Sequence, residues 1–336
     1  MTSSLIILHQ RASSVRPSVP RKHMQLIGLP LSEIDFQDET YLLSPSPRQH
    51  ASPTVLASIK RVGILHPPLL VKAESGRYRI LSGRNRLLAA CRLHFTSCDC
   101  RVVPSAFSPL ETLTLLIEEV IAKRPPTLME QAIFLKKAEA WLDSDEVARR
   151  FLPILGHQPH PSQVGKLLRL NNLEEVIQEA VHHGQLDVKV AWELEKLAFV
   201  DRMALFEIIM ALRLSVANQK KVTLISREVA MRTKSSIAAF LARSDSQEIL
   251  NSSDLNPPQK SSHFMAWLQQ QQFPRLSRAE EEFRAFCRTL KLPSGASLQH
   301  APFFEKDELT LTLRFANRQE LLEKMPELMV TQDDPK

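Results

Sequence analysis

The chain has 336 residues, enough for two or three domains that each bury a core of their own. Glycine is scarce (8 residues) and proline plentiful (22), a balance that favours a mostly helical chain with sharp breaks between helices. The formal net charge is +6, and no apolar run reaches the roughly 18–20 residues of a membrane span, so we expect a cytoplasmic protein.

The excess of positive charge is concentrated at the start of the chain. Residues 1–24 hold Arg11, Arg16, Arg21 and Lys22 without an acidic residue, and we expect a disordered basic tail there. The rest of the chain carries 39 basic and 37 acidic residues. Net charge alone therefore does not indicate nucleic-acid binding, and the clustering of charge has to be considered.

Residues 25–108 combine strand and helix patterns, which predicts a small α/β domain. Apolar runs and alternation predict strands at 25–29, 69–72, 78–81 and 100–103. Apolar residues at helical spacing predict helices at 53–62 and 84–93.

The pattern from 109 to 243 is helical, which predicts a mostly α-helical middle domain. The predicted helices are 109–122, 127–141, 145–155, 162–170, 173–183, 187–197, 201–212 and 216–232. Residues 244–262 are rich in Ser, Asn and Pro and predict a linker. Residues 263–330 predict a small C-terminal α+β unit, with helices near 277–290 and 318–328 and a half-buried strand at 309–315. The fold class is therefore α+β and multidomain.

A candidate anion site lies where the strand 78–81 leads into the next helix through Ser82, Gly83, Arg84, Asn85 and Arg86. Glycine allows close approach of the backbone, the first-turn amides are unpaired donors, and two arginines add positive charge. On spacing alone, an ordinary strand-to-helix turn with solvated arginines explains the segment equally well.

Residues 63–71 followed by 78–93 resemble the ParB/sulfiredoxin superfamily. The matching positions are Pro67, Gly83, Arg86, Ala89 and Ala90. The resemblance implies binding of the triphosphate of CTP, with Gly83 and Arg86 at the phosphates and His66 and Pro67 near the base. Arg84 and Asn85 complete this predicted site.

The motif departs from the family pattern at three positions, where Arg84 replaces a glutamate and Asn85 and Leu88 replace arginines. These departures favour nucleotide binding over hydrolysis and leave weak CTPase activity as an alternative. The family places a Glu-Asn pair for Mg²⁺ on the following helix, and Glu118 and Glu119 occupy that region. Adjacent carboxylates on a helix point about 100° apart, so at most one is well placed as a direct ligand.

A candidate helix-turn-helix follows at 145–156 and 161–170. Residues 147–170 contain Arg149, Arg150, Lys166 and Arg169 and no acidic residue. Ser162 and Gln163 at the start of the second helix suit base edges, while Lys and Arg suit phosphates. A helical hairpin with a solvated basic face is the alternative.

The order of residues in this region also resembles ParB proteins. The positions that match include Ala148, Gly156, Ser162, Val164 and Arg169. The turn through 157–160 is about two residues longer than the family's, which affects how the motif would dock on DNA. Residues 211–243 add seven basic residues against Glu228 alone, which supports phosphate contacts as a second basic stretch.

Three functions remain open at this stage. The first is a partition-like protein that binds double-stranded DNA, uses CTP as a switch, dimerises and works with a ParA-like ATPase on the nucleoid; all of these features come from the resemblance. The second is a ParB-like nuclease or phosphotransferase with Arg86 and Glu118 or Glu119 around a metal-bound phosphate. The third is a transcription regulator with a vestigial nucleotide site. The C-terminal unit is either a dimerisation element or an independent accessory domain.

Overall fold

The structure is a computed structural model that describes residues 24–290, 295–319 and 321–322. The chain divides into two compact units, Met1–Gly184 and Gln185–Lys336. Within the described ranges, no helix is long and apolar enough to cross a membrane. The predicted basic tail lies outside the described residues except for Met24.

The first unit begins with a five-stranded mixed sheet. Its strands are β1 (Gln25–Pro30), β2 (Ile34–Asp35), β3 (Leu69–Lys72), β4 (Tyr78–Ser82) and β5 (Ser97–Val103). They lie in the order β1-β5-β3-β4-β2. The β1–β5 and β3–β4 pairs are antiparallel, whereas β3–β5 and β2–β4 are parallel. The four predicted strands are confirmed, and β2 was not predicted.

Two helices accompany the sheet, α1 (Pro53–Val62) and α2 (Arg84–Arg92), and they contact each other. Ser52 caps α1, with Pro53 at its first position, and Gly63 ends it in a left-handed conformation. Leu70, Leu87 and Cys100 belong to one buried cluster of the sheet and α2. Among the four cysteines, which are all free thiols, Cys98 and Cys100 are buried, Cys287 is half-buried and Cys91 on α2 is exposed.

Five helices complete the first unit: α3 (Pro109–Ile121), α4 (Leu128–Ala138), α5 (Ser144–Phe151), α6 (Pro161–Leu168) and α7 (Glu175–His182). Capping boxes begin α3 at Ser108 and α4 at Thr127. Phe134 and Phe151 meet edge to face at 4.9 Å, which fixes α5 against α4. This second core also takes in Leu69 and Leu81 of the sheet, so the sheet and the helices of this unit share one interior.

The second unit is helical as far as residue 289. Its helices are α8 (Val188–Glu195), α9 (Phe199–Ala211), α10 (Val216–Thr233), α11 (Ile237–Leu241), α12 (Ser244–Asn251), α13 (Pro257–Gln272) and α14 (Pro274–Thr289). Two strands follow, β6 (Ala296–His300) and β7 (Leu309–Leu313), paired antiparallel. The boundary between the two units falls inside the region 109–243 that the sequence predicted as one domain.

The predicted linker at 244–262 is wrong, because this segment contains α12 and the start of α13. Asn256 forms a capping box with Gln259, and Pro257 occupies the first helical position, so the residues that suggested a break begin a helix. Phe264 is fully buried, and the Trp267 ring stacks on Phe240 at 5.1 Å. Residues 257–272 therefore belong to the core of the second unit.

The C-terminal strand is confirmed, but its predicted burial is not. Leu309 and Leu311 are about half exposed. Strand β7 pairs with β6, and β6 contacts helix α14 through His300, whose ring lies 4.8 Å from that of Phe283. The predicted helix 318–328 lies mostly outside the described residues.

Candidate functional site

Gly83 lies between β4 and α2 with a φ of 97°, a conformation that favours glycine. A Cβ atom at this position would lie 2.8 Å from Arg86 Nη2 and 3.0 Å from the Cβ of Pro68. Glycine is therefore required both by the backbone conformation and by the close packing of the turn. The turn opens into a cavity of about 600 Å³ within the first unit.

The cavity collects most of the residues predicted for the nucleotide. His66, Gly83, Arg84, Asn85 and Arg86 all line it. Pro67 is half-buried beside His66 and is not part of the lining. The structure thus brings together five of the six predicted residues, although their side chains have different roles.

Arg84 is tied to the backbone of a neighbouring loop. Its Nη1 donates to the Phe36 carbonyl at 2.6 Å, and its Nη2 donates to the Asp38 carbonyl at 2.8 Å. Burial lowers the pKa of the guanidinium, while the negative charges of Glu39 and Asp38 oppose this change. Arg84 therefore anchors the loop after β2.

Asn85 and Ser52 form a reciprocal pair. The Ser52 backbone N–H donates to Asn85 Oδ1 at 2.8 Å, and Asn85 Nδ2 donates to Ser52 Oγ at 3.2 Å. Because Ser52 also caps α1, the Asn85 side chain sets where that helix begins.

Arg86 joins the two sequence segments of the predicted motif. Its Nη1 donates a hydrogen bond to the His66 carbonyl oxygen. Burial lowers the pKa of Arg86, and the nearby Glu119 carboxylate opposes that shift. The side chain thus connects the 63–68 turn to the first turn of α2.

The cavity is also lined by four residues with basic side chains that the sequence did not assign to it: Arg48, Lys123, Arg124 and His182. Lys123 Nζ lies 3.2 Å from Ser82 Oγ and 2.7 Å from Glu119 Oε2. Arg124 forms a two-pronged ion pair with Glu130 at 2.7 and 2.5 Å. Burial opposes the charge on Glu130, but the hydrogen bonds from Arg124 and Thr127 outweigh it and lower the Glu130 pKa.

The residues predicted for Mg²⁺ do not form a metal site. Glu119 pairs with Lys123, Glu118 is exposed, and neither carboxylate lines the cavity. Among the described residues, no group of three or more His, Cys, Asp and Glu side chains is arranged to hold a metal ion. The described residues around Glu118 and Glu119 therefore do not supply a set of ligands that would hold a metal ion by themselves.

Helix α7 borders the cavity from the helical part of the same unit. The Ser46 backbone N–H donates to Glu179 Oε1 at 3.0 Å, and the Ser46 hydroxyl donates to the same oxygen. His182 Nδ1 lies 3.3 Å from Thr127 Oγ1 at the start of α4. Burial lowers the pKa of His182, with Glu130 acting in the opposite direction. Two side chains of α7 therefore contact the elements that surround the cavity.

Helices α5 and α6 form the predicted helix-turn-helix pair. Val147 and Phe151 on α5 and Val164 and Leu167 on α6 are fully buried. Helix α5 ends at Phe151, two residues before Pro153, and is therefore shorter than the predicted helix 145–155. The long turn is held by His157, whose Nε2 lies 2.7 Å from Gln131 Oε1 on α4.

The residues predicted for DNA lie on the surface of this pair. Arg149, Arg150, Ser162 and Lys166 are exposed, while Gln163 and Arg169 are half-buried. The Arg150 guanidinium lies 5.4 Å from the centre of the Phe151 ring. His160, which the sequence did not single out, caps α6 by accepting from the Ser162 N–H at 3.3 Å.

Three of the seven basic residues in the stretch 211–243 form ion pairs with acidic residues of the second unit. Lys220 pairs with Asp187 at 3.7 Å, Arg227 with Glu193 at 2.5 Å and Arg243 with Asp245 at 2.9 Å. Arg232 donates to backbone carbonyls of α13. The excess of positive charge counted along the sequence therefore overstates the charge available to a partner.

Comparison with known proteins gives similarity to solved structures alone. No protein-family model matches the chain, and no curated protein matches it. The chain is similar to the C-terminally truncated chromosome-partitioning protein ParB from Caulobacter crescentus complexed to the centromeric parS site, with 21% identity over 59% of this chain and 98% of that chain and a TM-score of 0.32.

Two other ParB structures are also similar. The same Caulobacter crescentus protein complexed with CTP-γ-S gives 20% identity over 52% of this chain and 93% of that chain, with a TM-score of 0.25. A Pnob8-like ParB-N domain gives 10% identity over 74% of this chain and 98% of that chain, with a TM-score of 0.36.

Proposed function

We propose that the protein binds double-stranded DNA through α5 and α6 and that a nucleotide in the neighbouring cavity controls this binding. The observation that carries the proposal is the position of α7. This helix follows the α6 region and bonds, through Glu179, to the loop at the cavity edge. A ligand that moves this loop would therefore change the surroundings of the DNA-binding helices.

The ligand proposed for the cavity is a nucleotide, with CTP as the choice that the ParB-like motif indicates. A volume of about 600 Å³ lies within the usual range for small-molecule sites. The turn at Gly83 presents the first amides of α2, and anions are stabilised at helix N-termini. Positive side chains around the cavity favour the phosphate end of such a ligand.

The DNA-binding surface is proposed to consist of Arg149, Arg150, Ser162, Gln163, Lys166 and Arg169. Helix α6 would enter the major groove, with Ser162 and Gln163 at the base edges, because polar side chains at the start of a recognition helix are placed there. The basic side chains would contact phosphates and give binding a strong dependence on salt.

Control of DNA binding is proposed to operate by population shift. A nucleotide changes the equilibrium between two arrangements of the 44–50 loop only if it binds one of them more tightly. The Ser46–Glu179 contact distinguishes such arrangements, because it is present when the loop lies against α7 and lost when the loop moves away. By resemblance to ParB proteins, we extend the proposal to a role in partition of chromosome or plasmid DNA, to dimerisation, to association with the nucleoid and to a ParA-like partner.

Binding without rapid hydrolysis is the form of nucleotide use that we propose. Glu119 does not line the cavity, and the carboxylate that does, Glu130, is held by two nitrogens of Arg124, so neither is well suited to activate water. A CTPase, nuclease or phosphotransferase would need such a group. A transcription regulator with a vestigial nucleotide site is the competing function that the first experiment separates.

The first experiment measures binding and hydrolysis of CTP, ATP and GTP by the full chain, with and without duplex DNA, for the wild type and Arg86→Ala. We expect one nucleotide to bind, its affinity to change with DNA, and Arg86→Ala to weaken it by roughly tenfold. Arg92→Ala, an exposed arginine at the other end of α2, is the matched control. If the wild type binds no nucleotide, the switch is lost and a plain regulator is favoured.

The second experiment addresses DNA. Lys166→Ala and Arg169→Ala should each weaken DNA binding and lower the salt dependence by about one ion per phosphate contact removed. Lys60→Ala on the exposed side of α1 serves as the charge-matched control. Unchanged affinity of both α6-region variants at moderate salt would remove the recognition-helix assignment.

A further inference from the structure

We infer that Arg48 and Lys123, together with Arg86, bind the polyphosphate chain of the ligand in this cavity, and that Arg84 and Asn85 of the sequence motif do not. This inference rests on the proposed function, since it names the groups that hold the phosphates of that nucleotide. The three cations come from three different elements that border one cavity: the loop before α1, the first turn of α2 and the residues after α3.

The motif residues Arg84 and Asn85 are already committed to the fold. Both terminal nitrogens of Arg84 donate to backbone carbonyls, and the charge of its guanidinium is opposed by Asp35, Asp38 and Glu39. A phosphate at Arg84 would have to compete with these three carboxylates. Asn85 is neutral, and its amide oxygen and nitrogen are both bonded to Ser52.

Arg48 differs from Arg84 and Asn85 in its contacts. It is exposed on the loop that borders the cavity, and among the described residues it forms no ion pair or side-chain hydrogen bond. The loop itself is held nearby by the bond between Ser46 and Glu179. A long, flexible cation on a positioned loop can reach an incoming anion without losing an existing partner.

Lys123, like Arg48, is a basic residue that lies outside the sequence motif. Its Nζ lies 3.2 Å from Ser82 Oγ, next to Gly83, so the ammonium group is placed beside the glycine turn. Its ion pair with Glu119 is half-exposed, with 54% of the lysine side chain accessible, and pairs of this kind contribute little. A phosphate can therefore replace Glu119. Arg124 lacks this freedom because Glu130, whose side chain is 8% exposed, holds it at two nitrogens.

The number of cations indicates the class of ligand. A single phosphate would engage one or two of these side chains, whereas a di- or triphosphate carries enough charged oxygens to contact all three. The cavity therefore fits a nucleoside polyphosphate better than a nucleoside or a nucleoside monophosphate.

The test uses the full chain and measures the binding of CTP and of inorganic tripolyphosphate by calorimetry. The variants are Arg48→Ala, Lys123→Ala, the double variant and the charge-retaining Arg48→Lys, with Arg92→Ala as the control for loss of one exposed arginine. We expect each single alanine variant to bind both probes about tenfold more weakly and the double variant more weakly still. Arg92→Ala should stay within about twofold of the wild type, and Arg48→Lys should retain most of the affinity.

The binding data distinguish failure of the residue assignment from failure of the proposed function. If the wild type binds CTP and the double variant binds it equally well, the assignment of Arg48 and Lys123 is overturned while the proposed function stands. If the wild type binds tripolyphosphate through these residues but no nucleotide, the assignment stands and the proposed function fails. If neither probe binds, both are lost. Thermal unfolding of each variant, expected to match the wild type, identifies any loss that comes from misfolding.

Discussion

Glu179 Oε1 accepts two hydrogen bonds from Ser46, one from its backbone N–H at 3.0 Å and one from its hydroxyl, across 133 positions of sequence. The same carboxylate also pairs with His183 Nδ1 at 3.1 Å. A single side chain of α7 thus links the 44–50 loop to the helical part of the first unit.

Glu179→Ala should release that loop. We expect faster amide exchange across 44–50 and a loss of about 1–3 kcal/mol in the free energy of unfolding, because a charged acceptor of two hydrogen bonds is removed. Hydrogen exchange with urea denaturation measures both effects. Glu175→Ala, an exposed acid on the same helix, should leave both unchanged. Equal exchange of the loop in the two variants would contradict the role given to Glu179.

Gly83→Ala should be strongly destabilising. Alanine would hold an unfavourable φ of 97° and place its Cβ 3.0 Å from Pro68, so we expect a loss of at least about 2 kcal/mol. Gly165 on α6 is the matched control, because a Cβ there meets no atom within 4 Å and its φ is not positive. Gly165→Ala should increase stability by about 0.5–1 kcal/mol. Similar free energies of unfolding for the two variants would rule out a strained turn at Gly83.

Phe264→Ala tests whether α13 belongs to a core. Phe264 is fully buried, and truncation of a buried phenylalanine costs about 3–5 kcal/mol. Phe286 on α14 is 46% exposed, so Phe286→Ala should change stability by less than about 0.5 kcal/mol. Thermal unfolding measures both changes, and a Phe264→Ala variant that unfolds like the wild type would contradict the placement of α13 in a core.

Stability should depend on pH through His182. Burial lowers the His182 pKa in the folded protein, so the unfolded chain binds the proton more readily. The contribution is therefore fully present above about pH 6.5, the ordinary histidine pKa, and is lost as the pH falls below it. Urea denaturation between pH 7.5 and 5.5 should give a smaller decrease for His182→Gln than for the wild type. Burial lowers the His157 pKa in the same way, so part of the decrease should remain in that variant. An identical decrease in both proteins would exclude His182 as a source.

The sequence predicted those parts of the fold that local chemistry determines. The start of α1 at Pro53 followed from apolar spacing, and the structure adds the Ser52 cap that fixes it. The strand β6 was missed because Ala296–His300 contains no β-branched residue and none of Phe, Tyr and Trp, the types enriched in strands. The segment at 256–259 was misinterpreted because Asn and Pro occur both in loops and at the first positions of helices.

The candidate site was predictable only along the motif. Gly83 and Arg86 were assigned to the phosphates because their strand-turn-helix segment resembles the ParB/sulfiredoxin superfamily. Arg48 and Lys123 come from distant positions that reach the cavity only once the sheet and α3 are assembled. The sequence also did not show that Arg84 would donate hydrogen bonds to the carbonyls of Phe36 and Asp38, because those bonds depend on the path of the loop after β2.

The positions of the cysteines allow ligand binding to the cavity to be detected in solution. Cys91 on α2 is exposed, whereas Cys98 and Cys100 of β5 are buried, so replacing Cys287 leaves one readily modified position in the described chain. Burial raises the pKa of the Cys91 thiol, and alkylation should therefore be carried out at mildly alkaline pH. A fluorophore attached there would lie on the helix whose first turn lines the cavity, and its emission would give a spectroscopic reporter of ligand entry.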